Sequence, residues 1–375
     1  LRKVAFIIDS LTGGGAERLV LTLAQTMAER GISVTVITME DTRAYGVNPD
    51  VALYSLSRIS DRTPTVMRLG RKLKTLFAEL EAEESFDLVV VNLTLSSQVA
   101  RASGLTELHY CINNSLGAQL AHTRQPLVRP WWRHKLKTLY QGQRLICVSR
   151  GVAEDIRENL GVTPLSCDVI PNGFDLDRIR ELAQETTPEA TALTTYVLHV
   201  GHFKRQKRLD LLLRAWARVD SDHKLVLLGD GSHRKTENLK RLANRLGIRD
   251  RVVLAGWHEN AYAWMRQAEL LVLSSDFEGF GRVIVEALAC GTPVVSTDCP
   301  SGPSEILTGD MSRWLVPTGD TQAMAERIQE ALDSPPEVDQ EPLEAFHIEA
   351  VVDQYLALPP RHGKRQDTRQ EAGRS

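Results

Sequence analysis

Apolar positions along this chain alternate between two periods. KVAFIID, residues 3–9, is apolar at successive positions, which predicts a strand buried on both faces. The glycine turn LTGGG follows. AERLVLTLAQTMAER then carries apolar residues at helical spacing as far as Gly31, a residue suited to a helix C-terminus. SVTVITM predicts the next strand, and a unit of this kind is parallel and right-handed. FDLVVVN and RLICVS predict further strands, and RGVAEDIRENLG a helix.

Residues 171–195 are polar and turn-rich, which predicts a boundary between domains. The alternation then restarts with TYVLHVG, RLDLLLRAWARV, KLVLLGDG, RKTENLKRLANRLG and RVVLAG. AYAWMRQA, ELLVLSS, RVIVEALACG and PVVST continue it. The expected fold class is therefore α/β, with two doubly wound Rossmann-like domains facing a central cleft. The expected division is 1–173, a linker at 174–195, a second domain at 196–335, and a helix within 336–358 that crosses back to the first domain. Residues 359–375 are expected to be a disordered tail.

The length of 375 residues fits two domains, and 42% hydrophobic with 25% charged residues is ordinary for globular chains. A net charge of −3 argues against a nucleic-acid partner. The charge is unevenly spread: residues 1–173 hold 20 Lys/Arg against 17 Asp/Glu, and no acid lies between Leu108 and Ala153. That predicts a basic face on the first half. The five cysteines (111, 147, 167, 290, 299) show no C-x-x-C spacing, which points to a reducing, cytoplasmic setting. The apolar start is too short for a signal peptide, and no run approaches a membrane span.

The stretch SSDFEGFGRVIVEALACGTPVV, residues 274–295, carries the most chemistry. A buried strand ends at Ser275, a glycine turn leaves N–H groups uncovered, and a helix starts near Arg282. Glu278 falls in the turn and Glu286 in the helix, with seven residues between them. The carboxyl edge of such a sheet binds ligands, and a helix N-terminus there favours a phosphate. Carboxylates beside it can accept hydrogen bonds from sugar hydroxyls. On spacing alone, the two glutamates are equally well a solvated turn residue and a surface helix residue.

This stretch resembles the paired-glutamate motif of family 4 retaining glycosyltransferases, which have the two-domain GT-B fold. GGGAERLV, VSRGVAEDI, VIPNGFD, VGHFKRQKRLDLLLRAW, LLGDG and STDCPSGPSEIL follow the family's order, so the resemblance covers roughly residues 3–357. It implies that Glu286 holds the ribose hydroxyls of a nucleotide-sugar donor. Glu278, with the amides of Gly279, Phe280 and Gly281, would hold the donor sugar and phosphate. Lys207 would neutralise the diphosphate, and Trp257 and His258 would pack against the base. Gly14, Gly15, Gly201 and Arg282 complete the implied donor-binding set. Many relatives have arginine where this chain has His202, and Arg205 is a candidate to compensate. The family's first-domain histidine aligns with Asn113, while His109 is the nearby alternative.

The resemblance implies a retaining enzyme without cofactor or metal. It would move a hexose or N-acetylhexosamine from UDP to a glycan or lipid-linked acceptor in bacterial surface polysaccharide synthesis. An epimerase or phosphorylase on the same fold is the alternative. A less favoured alternative is an NAD-dependent dehydrogenase built on the first glycine turn and on Glu40–Asp41. That second alternative suffers because a G-x-G-x-x-G pattern begun at Gly13 needs glycine where Arg18 stands. Asp175–Leu176–Asp177 could suggest a metal-binding Asp-x-Asp, but its first aspartate suits a helix cap. RQPLVRPWWRHKLKTLY (124–140) and MRLGRKLKTLF (67–77) mix cations with apolar residues and predict peripheral contact with anionic membrane, at the inner face of the cytoplasmic membrane.

Overall fold

A computed structural model of the chain describes residues 2–361 apart from 13, 42–45, 58–64 and 124. The first sheet contains β1 (Lys3–Ile8), β2 (Ser33–Thr38), β3 (Val51–Ser55), β4 (Leu88–Asn92), β5 (His109–Ile112), β6 (Arg144–Cys147) and β7 (Ser166–Val169). The second contains β8 (Tyr196–Val200), β9 (Lys224–Leu228), β10 (Val252–Gly256), β11 (Leu270–Leu273), β12 (Val294–Thr297) and β13 (Leu315–Val316). Their orders are β3-β2-β1-β4-β5-β6-β7 and β10-β9-β8-β11-β12-β13, with every paired neighbour parallel. The two doubly wound domains expected from the alternation are both present.

Each sheet reverses its winding once, between β1 and β4 and between β8 and β11. At those places the connections leave in opposite directions and open a crevice beyond the strand ends. The Gly14–Gly15 turn leaves β1. The loops 201–208 and 274–281 leave β8 and β11. Topology alone thus brings three separate sequence motifs to two facing crevices.

Central strands earn their place by burial: β1 and β4 are apolar and buried almost throughout. The helix Gly15–Glu29 lays Leu19, Val20, Leu23 and Met27 on the sheet and ends at Arg30, where the Gly31 and Ile32 amides return to Ala28 and Met27 carbonyls. One apolar cluster runs from β1 through Tyr262, Phe280 and Ile284 to Val351, so it crosses from one domain to the other. A second cluster, around Trp216, Leu227 and Ile328, fills the far side of the second sheet.

The segment 174–195, expected as a linker, holds the helices Leu176–Ala183 and Pro188–Thr191, the first with Leu176, Ile179 and Ala183 buried. Two expectations need correction. The C-terminal segment is not one helix. The 3-10 turn Glu341–Phe346 gives way at His347, whose Nδ1 accepts the Glu349 amide and starts a new helix, Ile348–Leu356. That helix packs on Gly15–Glu29, and Arg30 pairs with Glu349 and Asp353. Finally, order extends beyond 358. Arg361 is buried, donates from its amide to the Asp87 carbonyl at 2.6 Å and pairs with Glu81. Residues 362–375 of the expected tail lie outside the described residues.

Candidate functional site

Pairing of β8 with β11 stops at Leu198 and Leu271, where the crevice begins. Beyond that point His199 bridges the strands: its Nδ1 donates to the Val272 carbonyl at 2.9 Å. A carbonyl only accepts, so Nδ1 carries the proton and Nε2 is a bare acceptor. Burial, and next the Lys207 charge, push this histidine down to about 4, so it is neutral at physiological pH. Lys207 sits one turn on, its Cε 3.4 Å from where a Cβ on Gly201 would lie. Its ammonium donates to Glu278 Oε1 at 2.7 Å, and Ser275 Oγ donates to the same oxygen at 2.6 Å.

Glu278 and Glu286 are both buried, at 8% and 5% exposure, so neither is a solvated surface acid. The carboxylate of Glu286 lies 3.5 Å from Arg282 Nη2 on its own helix, Arg282–Ala289. It also lies 3.7 Å from Arg18 Nη1, which belongs to the first domain. Arg18 further donates to the Tyr262 hydroxyl at 2.9 Å. The Arg282 guanidinium is buried over the Phe174 ring, 4.2 Å from its centroid, and burial pulls its pKa below the ordinary arginine range. A carboxylate beside two guanidiniums has lone pairs left to accept hydrogen bonds from a ligand.

The loop between the glutamates is built from its backbone. Phe280 turns its ring inward, 6.2 Å from Phe174 and 5.3 Å from Phe346. Gly279 is pressed onto the first domain: a Cβ there would lie 2.1 Å from the Asn113 carbonyl oxygen. Gly281 takes a positive φ of 90° and precedes the first turn of Arg282–Ala289.

A cavity of about 180 Å³ lies beside Glu286 and Arg282, with Gly14, Gly15 and Arg18 on one wall. Gly201, His202, Asp230, Trp257, His258, Arg282 and Glu286 are on the other. Trp257 is 60% exposed at the rim, so it is not a core residue. His258 sets its Nε2 3.2 Å from the Ala255 carbonyl and its ring edge-on to Trp264. The His202 ring pairs through Nδ1 with Asp230.

Two named candidates stand apart. Arg205 donates to the His122 carbonyl of the first domain at 3.3 Å. His109 opens β5, away from its crevice end, and is wholly buried; burial and the Arg144 charge push it down to about 4. Asn113 does reach the site, through its backbone contact with Gly279. Asp175 caps the helix Leu176–Ala183, accepting the Arg178 amide at 2.9 Å. Arg18, Tyr262 and Asp230 were not foreseen. Each acts through a partner distant in sequence, and only the GGGAERLV resemblance drew attention near Arg18.

Comparison with known proteins agrees with this geometry. A family model described as Glycosyltransferase Family 4 matches residues 13–178, and one described as Glycosyl transferases group 1 matches residues 194–334. The D-inositol 3-phosphate glycosyltransferase of Nocardiopsis dassonvillei is 32% identical over 321 residues, 76% of this chain and 73% of the relative. The chain is a family 4 glycosyltransferase. This family 4 enzyme is also 29% identical over 341 residues to the N-acetylgalactosamine-N,N'-diacetylbacillosaminyl-diphospho-undecaprenol 4-alpha-N-acetylgalactosaminyltransferase of Campylobacter jejuni, covering 89% of this chain and 91% of that one. Anabaena HepE, solved in complex with UDP and glucose, superposes with a TM-score of 0.73 at 20% identity, covering 95% and 98% of the two chains. The fold is GT-B. Membership of this family displaces the dehydrogenase, epimerase and phosphorylase alternatives.

Proposed function

We propose that this glycosyltransferase is a retaining, metal-independent enzyme. It moves a hexose or N-acetylhexosamine from a UDP-linked donor to a lipid-linked glycan at the cytoplasmic face of a membrane. The observation that carries this reading is the meeting of Lys207, Glu278 and the Gly279–Gly281 backbone at one crevice, with Glu286 in the adjoining cavity wall. The ribose diol would donate to Glu286, and the diphosphate would meet Lys207 and the amides before Arg282–Ala289. Glu278 keeps the Lys207 ammonium in place and has a second oxygen for a sugar hydroxyl.

In the reaction, the bond from the sugar's anomeric carbon to the phosphate oxygen breaks, and a bond to the acceptor oxygen forms on the same face. The acceptor's hydroxyl proton passes to the departing phosphate oxygen, and UDP leaves. Negative charge grows on that phosphate. A positioned cation or amide there is worth roughly 10²–10³ in rate. Closing the Gly14–Gly15 wall over the cavity would limit hydrolysis of the donor.

The lipid-linked acceptor is supported by the basic face of the first domain. Arg129, Arg133, His134 and Lys137 line a groove of about 620 Å³ beside Leu160 and Gly161. Leu127 at 94% and Trp131 at 58% exposure flank it, and the Lys135 ammonium lies over both tryptophan rings. The Campylobacter relative is named for a diphospho-undecaprenol acceptor. Among the described residues, no helix is long and apolar enough to cross a membrane.

Thermal unfolding with UDP-, GDP- and ADP-sugars tests the donor. A sugar donor at 100 times its dissociation constant should stabilise the fold by about 2.7 kcal/mol. UDP-sugars should do so and the others should not; no shift with any of them would refute the site. The product's anomeric coupling by NMR, measured with and without EDTA, tests the rest. An inverted anomer would overturn the retaining assignment, and activity lost to EDTA would overturn metal independence.

A further inference from the structure

We propose that Ser149 and Glu305 are positioning residues that align the phosphate-facing loop Gly279–Gly281 when the two domains are docked, without touching the sugar donor themselves. The proposal rests on the donor site given above. The relevant helix, Arg150–Glu158, belongs to the first domain and follows β6. The first N–H groups of a helix have no partner inside it. Here Ser149 Oγ accepts the Val152 amide at 3.2 Å, which is ordinary N-capping. The next two donors go elsewhere: the Arg150 amide donates to Glu305 Oε2 at 2.8 Å and the Gly151 amide to Glu305 Oε1 at 3.0 Å. A carboxylate from the second domain therefore caps a helix of the first, at the end where negative charge is favoured.

The same serine reaches further. A hydroxyl has a single hydrogen to give, and Ser149 Oγ gives it to the Gly279 carbonyl at 2.7 Å, while the serine itself is buried. Glu305 in turn lies just past a tight turn. Ser301 and Gly302 take positive φ values of 70° and 110°, and a Cβ on Gly302 would lie 1.9 Å from the Phe280 carbonyl oxygen. On the other side, a Cβ on Gly151 would lie 2.7 Å from Ser301 Cα. The segment 301–305 is thus wedged between the helix start of one domain and the phosphate-facing loop of the other.

The result is a clasp in which Gly279 is fixed by Ser149 and Asn113, and Phe280 by Gly302. None of these contacts depends on a ligand. The sequence offers Ser149 a complete local role as a cap, so a helix in isolation needs neither Gly279 nor Glu305. What the cross-domain bonds add is a shared condition. The loop amides are set only where the domains meet, so phosphate binding and docking at this edge favour one another, and the coupling is reciprocal.

The test compares UDP binding by calorimetry, donor kinetics and thermal unfolding for the full chain and for Ser149→Ala, Ser149→Thr, Glu305→Gln and the Ser149→Ala/Glu305→Gln pair. Glu305→Gln is isosteric and keeps an acceptor oxygen for only one of the two amides. Ser149→Ala and Glu305→Gln should each weaken UDP binding about tenfold and raise donor KM alike, since each removes a polar link between the domains. Ser149→Thr should restore wild-type binding. The double variant should lose less than the product of the single losses, because both act through one loop. Lowered unfolding temperatures with a wild-type UDP dissociation constant would reduce the pair to a structural role and overturn the proposal. A wild-type chain that does not bind UDP would instead remove the donor-site reading, and this proposal with it.

Discussion

The two crevices of this enzyme share one topology and carry different side chains. Beyond β8 and β11 the second domain places Lys207, the Arg282 helix start and a backbone loop, all suited to phosphate. Beyond β1 and β4 the first domain places acids. Asp9 accepts from the Ser96 amide at 2.7 Å and from Ser96 Oγ at 2.6 Å, and burial raises its pKa. Glu17, in the first turn after the glycines, is likewise raised, mainly by burial. A doubly wound sheet supplies a place for a ligand, and the side chains on a few loop positions decide which ligand. Lys207, paired with Glu278, stands at one crevice, and Asp9 and Glu17 stand at the other, beside Arg18.

The largest effect that would break this comparison lies in the second crevice. Lys207→Ala and Glu286→Ala should each lower transfer at least about 100-fold, as expected when a group serving the departing phosphate or the donor's position is lost. Wild-type turnover in both would show that the donor binds elsewhere. Next, Asp9→Asn should raise acceptor KM and leave UDP affinity unchanged, measured by initial rates and calorimetry. The same variant carries a pH signature. A carboxyl whose folded pKa is raised supports the fold at low pH and loses that support as pH rises through the folded value. Asp9→Asn should therefore unfold at a higher temperature than wild type at pH 7, with the gap closing in acid below the ordinary aspartate range. An unchanged gap across pH would remove Asp9 as the source.

The smallest effect concerns the basic face. Arg133→Glu with Lys137→Glu should weaken sedimentation with anionic vesicles at low salt, and raised salt should weaken wild-type binding in the same direction. Equal binding of both proteins to anionic and neutral vesicles would detach this face from the membrane reading. Donor affinity should not change in that variant, because the groove at Arg133 and Lys137 is separate from the cavity at Glu286.

Much of the fold was legible because buried parallel strands are written as apolar runs. β1, β4, β8 and β11 stand in KVAFII, LVVVN, YVLHV and LLVL. The edge strands of the first sheet were not legible. β7 is Ser-Cys-Asp-Val with no residue fully buried, and β3 buries only Val51, so neither carries a clear apolar signal. At the site, Glu278, Glu286 and Lys207 were singled out through the family resemblance, and the structure pairs Lys207 with Glu278 and buries both glutamates. Arg205 and His109 were readable in the same way, yet the structure turns one toward His122 and buries the other at the start of β5.

Sequence alone thus determined two alternating α/β units, the glycine turns at the strand ends and the family that orders them. These are local properties, set by periodicity and by residues whose neighbours in the chain reveal their role. Tertiary structure decided which groups face one another: Arg18 on Glu286, Ser149 on Gly279 and Glu305 on the start of Arg150–Glu158. Those pairs are separated by more than one hundred residues each, and a hydrogen bond depends on a few tenths of an ångström that no spacing rule encodes.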